Sequence, residues 1–597
     1  MSETKNCKQC GEQFIIEDDD LLFYKKISPT FDGKVYEIPS PTFCPECRMQ
    51  RRMSFRNEHV LYKRKCDKTN ENIISMYNPD VPFPVWHLKV WWSDENDATV
   101  FGKEIDFNQN IFYQMKDLQK LVPRAHIFTY ALDRLENSIY TNCSGDLKDC
   151  YLIFSASRDE NCYYSHYIMD SYKCMDILYG VKSSFCYQCI DIFSCNNVLF
   201  SQNCRNCTDS LYLFDCRGCD KCLGCVGLRN KKYFILNKQV NKEEFDKNFA
   251  KLKKDKNFRD DFNKKYFDLL ASKPRRYMIG EHNENCTGNS VSNSKNCGYC
   301  FDTTDAEDSK YCTWFDKGKD CMDFYAWGEA EWCYEVVSGG DHMYKCAFTA
   351  SSYGDRDCYY LDNCYYCQNC FACVGLKKKQ YCILNKQYSK EEYEKLVPKL
   401  IEKMKATPLR PSFAKASDAA QQGFEGQVEW GEFFDLDMSP FNYNETIAND
   451  YYPLTEEKVS SIGGKWLNKD YTPKFVGEIY KPKKDIEGYL NDESERQKIL
   501  NGTIECEVTG KRYKILPQEL AFYIENEIPI PTKHYEVRLK ERLALRYPRK
   551  LYHRQCMCEE IGHDHNGKCK NEFKTTYAPE RSEKVYCESC YQKSIIQ

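Results

Sequence analysis

Nowhere in the chain is there a run of about 18 apolar residues, so nothing in it reads as a membrane-spanning helix. Only the polar stretch Met1 to Lys5 leads up to the first cysteine pair, without the apolar core of an export signal. A phosphate-binding glycine loop and a dinucleotide fingerprint are also missing. Histidine is scarce, at ten residues, and His59, His126, His166, His282 and His342 have no nucleophile or carboxylate motif beside them. Each reads as a structural histidine. The absences point away from a membrane protein and offer no support for an enzyme.

What is abundant is cysteine, 37 in 597 residues. Such a number fits either a secreted disulfide framework or an intracellular protein that uses thiolates for metals and packing. With no export signal, the expectation is a reducing cytoplasm and free thiols. Hydrophobic residues at 42% and aromatics at 15% supply packed cores, and the length suggests roughly three to five units.

Charge is uneven. The net value is -4, yet Arg48 to Lys65 carries seven basic residues against Glu58, and Lys533 to Arg554 carries eight against two glutamates. Each patch is +6, so the remainder carries -16. Localised anion contacts are implied rather than a generally basic coat.

Two duplications organise the chain. Pro41 to Cys66 aligns without a gap to Pro531 to Cys556, with 10 of 26 positions identical, where chance gives about two by ordinary residue usage. Shared residues include Arg48/Arg538, Arg52/Arg542, Arg56/Arg546, Arg64/Arg554 and Cys66/Cys556. A second match runs from Cys222 to Gln239 and from Cys370 to Gln387, with 12 of 18 identical. After each copy comes a helix start signal, Asn241-x-x-Glu244 or Ser389-x-x-Glu392, and apolar residues at helical spacing. Between Cys150 and Cys186, cysteine falls every 12 residues amid short β-prone runs. Regular short strands of this kind predict a β-solenoid, with cysteine packing a narrow interior. Whether 12 residues make a whole coil or half of one is open at this level.

The fold class expected is mainly β with some α: a duplicated β-solenoid, each half closed by an amphipathic helix, flanked by N- and C-terminal zinc ribbons. The units expected are a zinc ribbon at 1–66, a metal-free ribbon-like module at 67–135, solenoid halves at 136–240 and 284–388, and helices at 241–272 and 389–406. An extended connection at 407–502, a decayed ribbon at 503–556 and a second zinc ribbon at 557–597 complete the order.

Cys7-x-x-Cys10 and Cys44-x-x-Cys47 offer four thiolates for one tetrahedral ion, a closed structural zinc site. At the corresponding places the second copy has Cys506, Thr509, His534 and Val537, which cannot form that site. Downstream the pattern reverses. Cys569, Cys587 and Cys590 stand where the N-terminal copy has Thr69, His87 and Val90, with Cys556 or Cys558 as fourth ligand and His563 and His565 as weaker candidates. Two zinc ions per chain are expected. The period-three runs Cys216 to Cys225 and Cys364 to Cys373 resemble iron–sulfur spacing, although tight turns of the repeat account for them better. Arg48, Arg52 and Arg56, like Arg538, Arg542 and Arg546, would share one helical face, and with Arg64 and Arg554 would suit phosphate contacts. Pairing with the acidic body is the rival explanation.

The segment Cys-x-x-Cys-Gly, Phe-Tyr, Pro-x-Pro, Cys-Pro-Glu-Cys-Arg-x-x-Arg-Arg resembles the small zinc-ribbon domains of many bacterial proteins. As a whole the chain is similar to cysteine-rich zinc-ribbon proteins of small-genome uncultivated bacteria. The resemblance implies zinc binding and a cytoplasmic location. The function expected is a non-enzymatic zinc-binding scaffold for RNA or a ribonucleoprotein, with a protein-interaction or assembly module as the alternative and a metal-cluster or redox enzyme further behind.

Overall fold

A residue of the repeat pairs in parallel with the residue twelve positions on: Leu178 with Ile190 and Ile190 with Gln202 in the first array, Phe301 with Thr313 and Thr313 with Tyr325 in the second. The chain therefore returns to the same edge after twelve residues, which makes twelve a whole coil. The spacing departs from twelve where Tyr334 meets Ala347 and at the start of each array, where Thr129 meets Ser144 and Gly280 meets Val291. The computed structural model describes residues 2–409, 427–471, 475 and 477–596, a mixed α/β structure rich in parallel strand pairs.

Backbone conformation explains the period. From Asp146 to Leu236 every third residue has positive φ, with glycine at positions 218, 224 and 227 and Asn, Asp or another side chain elsewhere. A left-handed residue turns the chain sharply, so four three-residue sides close one coil. Each non-glycine turn of this kind costs of order 1–2 kcal/mol, offset by ladder bonds to both neighbouring coils, as in Tyr164 N to Tyr151 O and Tyr163 N to Cys174 O. Residues pointing inward also recur every third position (Cys150, Ile153, Ala156, Asp159, Cys162), all buried.

The narrow interior accounts for the cysteines. The N–H of an inward residue points into the coil, where side chains of the coil below accept it: Ile177 N meets Ser165 Oγ at 3.0 Å, and Cys370 N meets Cys358 Sγ at 3.4 Å. Thiols donate in turn, Cys162 Sγ lying 3.4 Å from Glu160 O and 3.6 Å from Ser171 O. The side chains that accept here are small and able to bond, as Cys, Ser and Asp are, since an unpaired buried backbone group is costly, while Ile153, Ala156 and other apolar residues fill the remaining inward places. The period-three cysteines do the same. Cys216, Cys219, Cys222 and Cys225 occupy successive sides, each thiol set against a backbone oxygen two residues back. None of the 37 cysteines is in a disulfide.

The duplicated Asn-Lys-Gln segment seals each array. Its strand folds back antiparallel, Ile235 against Lys238 and Ile383 against Lys386. The Asn385 side chain then supplies what a further coil would: its oxygen accepts from Val374 N at 2.8 Å and its nitrogen donates to Val374 O at 2.7 Å, while Asn237 treats Val226 alike. The helices follow, Lys242–Lys254 with Lys256–Ser272, and Lys390–Ala406 behind a complete capping box at Ser389.

Each end module touches both arrays. Near the N-terminus the helix Pro45–Met53 packs on strands of the second array, while Val85–Trp86 pairs with Arg124–Ala125, just ahead of the first. At the other end Tyr535–Ala544 packs on the first array, and Val585–Tyr586 pairs with Arg275–Arg276, ahead of the second. The duplicated halves thus exchange equivalent contacts, as around an approximate two-fold axis.

The segment 407–502, expected as an extended connection, forms short helices such as Ile447–Tyr451 and Glu493–Asn501 and packs closely where it is described; residues 410–426, 472–474 and 476 lie outside the described residues. Trp430 Nε1 donates to Glu37 O at 2.8 Å and Ile447 N to Arg56 O at 3.0 Å, so this segment straps the N-terminal module in place. Its aromatic cluster is drawn in because Trp430 and Phe434 bury against the second array while Phe433 packs on Phe55 of the N-terminal module. Among the described residues no helix is long and apolar enough to cross a membrane.

Candidate metal centres and the arginine faces

Cys7 opens a tight turn in which Gly11 N donates to Cys7 O at 2.9 Å, with Gly11 at φ 77°. Cys44 caps the helix Pro45–Met53, and Cys47 sits in its first turn behind Pro45. The four sulfurs of Cys7, Cys10, Cys44 and Cys47 lie within 4.8 Å of one another, Cys10 and Cys44 at 3.8 Å. Hydrogen bonds from Cys44 and Cys47 hold the Cys7 thiol well below its ordinary range, toward the thiolate that ligates metals.

The C-terminal copy repeats the arrangement on its second site. Cys556, Cys569, Cys587 and Cys590 bring their sulfurs within 4.8 Å, all four buried. Cys556, not Cys558, is the fourth member. Cys587 precedes the helix Glu588–Ile596; against the effect of burial, the Ser589 hydroxyl and Asn571 amide bring its thiol down to about 6. Cys558 belongs to another group, with His563, His565 and the shared Cys590. Each of these clusters could hold a metal ion, consistent with ribbon-like modules at both ends.

The same turn survives at Cys506, where Gly510 N donates to Cys506 O at 2.9 Å. His534, however, accepts from Glu536 N at 3.3 Å and serves as a helix cap, so the position kept its fold while its ligands changed role.

The arginines expected to face phosphates are turned inward. Arg48 Nε donates to Asp323 Oδ2 at 2.8 Å, and Arg52 Nη2 lies 2.8 Å from Asp323 Oδ1. In the other half Arg538 Nε donates to Asp176 Oδ2 at 2.9 Å, and Arg542 Nη2 lies 3.0 Å from Asp176 Oδ1. Even the backbone partners correspond, Arg48 to Phe43 O and Arg538 to Lys533 O. Glu335 joins the N-terminal cluster through Arg51 at 3.0 Å and Arg52 at 2.8 Å.

The third arginine of each set spans the seam between the arrays. Arg56 reaches Ser338 Oγ at 2.7 Å and Ser155 Oγ at 3.3 Å, while Arg546 reaches Asp191 at 2.8 Å and Asp302 at 2.6 Å. Arg549 adds a bond to Asp302 at 3.2 Å and lies 3.6 Å over the Tyr451 ring. Arg64 and Arg554, nearer the surface, brace their own hairpins through Asn78 O at 2.9 Å and Ala578 O at 3.1 Å. Arg48, Arg52, Arg56, Arg538, Arg542 and Arg546 are all buried or in buried ion pairs, so the expectation of exposed phosphate-binding faces is corrected. A guanidinium without water access cannot meet a phosphate unless the module lifts away.

Sequence reasoning missed the acids. Asp176, Asp191, Asp302, Asp323 and Glu335 all occupy left-handed corners of the coils. Asp is ordinary at such corners for conformational reasons alone, which hid its electrostatic use.

Between the arrays runs a cleft of about 710 Å³ whose walls include Trp92, Phe128, Trp314, Trp327, Tyr353 and Tyr366. It continues into a second cavity of about 730 Å³ that shares Arg158, Met169, Trp314 and Trp327 and adds the carboxylates Asp191, Asp215, Glu281 and Asp302.

No family model matches the chain, and no curated protein is significantly similar to it.

Proposed function

We propose that the chain is a non-enzymatic binding scaffold: two β-solenoid halves, clamped by zinc-ribbon ends that each hold one zinc ion on four cysteines, present the aromatic cleft to a polypeptide partner. The observation that carries this reading is the burial of both arginine sets against acids of the arrays. It makes the basic patches the fastening of the ends and removes the main support for RNA as the partner. Zinc suits four thiolates in a closed tetrahedral set. A cleft with rings and charges of both signs suits a protein segment, whereas a nucleic-acid groove would be predominantly basic.

Purification from the native host after cross-linking tests the reading. A specific protein partner, lost when Trp327 and Tyr366 are both changed to alanine, is the expected result. Recovery of RNA with no protein, together with tight binding of labelled RNA near 100 mM salt, would reject it.

A further inference from the structure

We propose that the C-terminal module holds a second zinc ion, bound by Cys558, His563, His565 and Cys590, with the Cys590 thiolate shared between the two ions. The proposal rests on the reading that Cys556, Cys569, Cys587 and Cys590 hold zinc. Together the chain would then carry three ions.

The first observation is geometric. The ligand atoms of Cys558, His563, His565 and Cys590 lie within 4.8 Å of one another. Cys558 Sγ is 3.1 Å from His563 Nδ1, and Cys590 Sγ is 3.4 Å from His565 Nε2. Two sulfurs and two imidazole nitrogens form a donor set that a borderline cation such as zinc takes in tetrahedral arrangement.

Outer contacts also fit. A ligating histidine commonly donates its other N–H to a carboxylate or carbonyl, which fixes the tautomer. His565 Nδ1 lies 2.7 Å from Gly567 O, leaving the Nε2 lone pair facing Cys590. His563 Nε2 lies 3.4 Å from Glu560 Oε2, and Glu560 is held from its other oxygen by the Tyr586 hydroxyl at 3.0 Å. The His565 ring is thus oriented toward the Cys590 sulfur, while His563 presents Nδ1 to Cys558 and leaves its buried Nε2 without a hydrogen bond. His563 is buried, where an imidazole needs a reason to face a thiol.

The duplication supplies an independent observation. Nine positions separate Cys66 from Ser75 in the N-terminal copy, but nineteen separate Cys556 from Thr575. Ten additional residues therefore enter the C-terminal copy within this interval. Cys558, His563 and His565 all fall inside it, and the only member of the group outside it is the shared Cys590. An insertion made merely of loop would have no reason to bring three donors to one sulfur. On binding, the incoming ion displaces the Cys558 thiol proton to solvent; Cys590, already a thiolate toward the first ion, uses a further lone pair.

Native mass spectrometry of the full chain, isolated without chelator, should find three zinc ions, and the double variant His563→Ala, His565→Ala should find two. That variant leaves the four-cysteine set untouched, and unchanged hydrogen exchange over Glu588–Ile596 verifies that the module is folded. Replacing zinc by cobalt(II) tests the shared sulfur: the C-terminal pair should show a reduced magnetic moment, which returns to the ordinary value per ion in the double variant. Two zinc ions in both proteins would overturn the proposal while leaving the four-cysteine sites standing, as would three ions in both. Magnetically independent cobalt ions would overturn the bridge. Absence of zinc from both ends would instead reject the underlying reading.

Discussion

Asp176 is the most informative residue to remove. It is fully buried, and its carboxylate is shared by Arg538 Nε at 2.9 Å and Arg542 Nη2 at 3.0 Å. Changing it to alanine leaves two guanidinium groups in a site without water, and breaking a buried ion pair in this way costs roughly 3–5 kcal/mol. The N-terminal counterpart differs usefully. After Asp323→Ala, Glu335 still faces Arg52 at 2.8 Å, so the loss there should be smaller. A chain of this size will not unfold in one step, so the readout must be local. Amide exchange within Tyr535–Ala544 should accelerate about a hundredfold to several thousandfold in the Asp176 variant, the equivalent of that energy when opening is rapid and reversible. Asp246→Ala, on an exposed helix face, is the control. Should Asp176→Ala accelerate exchange no more than this control, the inward arginines would not be what fastens the module. Alanine substitution of Arg538, Arg542 and Arg546 would then again be a clean test for RNA binding; as the structure stands, it would release the module and any change in binding would follow from that.

Cys44→Ser and Cys587→Ser should each lose the zinc of its own four-cysteine set while the opposite end keeps its metal, and each should destabilise its module locally, since metal binding supplies much of a small module's folding energy; metal counting with limited proteolysis checks both. Asn385→Ala should cost roughly 2–4 kcal/mol by leaving the Val374 N–H and C=O unpaired, and Asn237→Ala should cost less because Asn237 is only half-buried; amide exchange in the last coil reports it. Glu429 is buried, accepts from Phe112 N at 3.1 Å, and is pushed up to about 7 by burial. Because its folded value exceeds the unfolded one of 4.5, the folded state holds the extra proton in that window, so this group's contribution is most favourable below pH 4.5, declines as pH rises to about 7, and then stays level. Relative to Glu429→Gln, the native chain should lose roughly 3 kcal/mol across the window, read by exchange in Ile111–Leu121 from pH 4.5 to 7.5; equal slopes in the two proteins would exclude the effect.

Local information was sufficient for much of this protein. The repeat period was legible because cysteine recurs every 12 residues from Cys150 to Cys186 amid short β-prone runs. Helix starts at Asn241 and Ser389 are written in a few adjacent residues, and the N-terminal four-cysteine set and three members of the C-terminal one were legible, helped by tight turns that bring Cys-x-x-Cys pairs together by themselves. That twelve residues form a whole coil could not be read, since the same spacing serves either closure until the ladder partner is known. Nor could the use of the arginines. Arg48 meets Asp323 across 275 residues and Arg538 meets Asp176 across 362, and nothing in a helical face of arginines distinguishes a phosphate from a carboxylate supplied by a distant coil. Only the packing of each end module on the array of the other half decided between them, whereas contacts within the C-terminal module itself decided that Cys556 joins one set of sulfurs while Cys558 turns to the histidines.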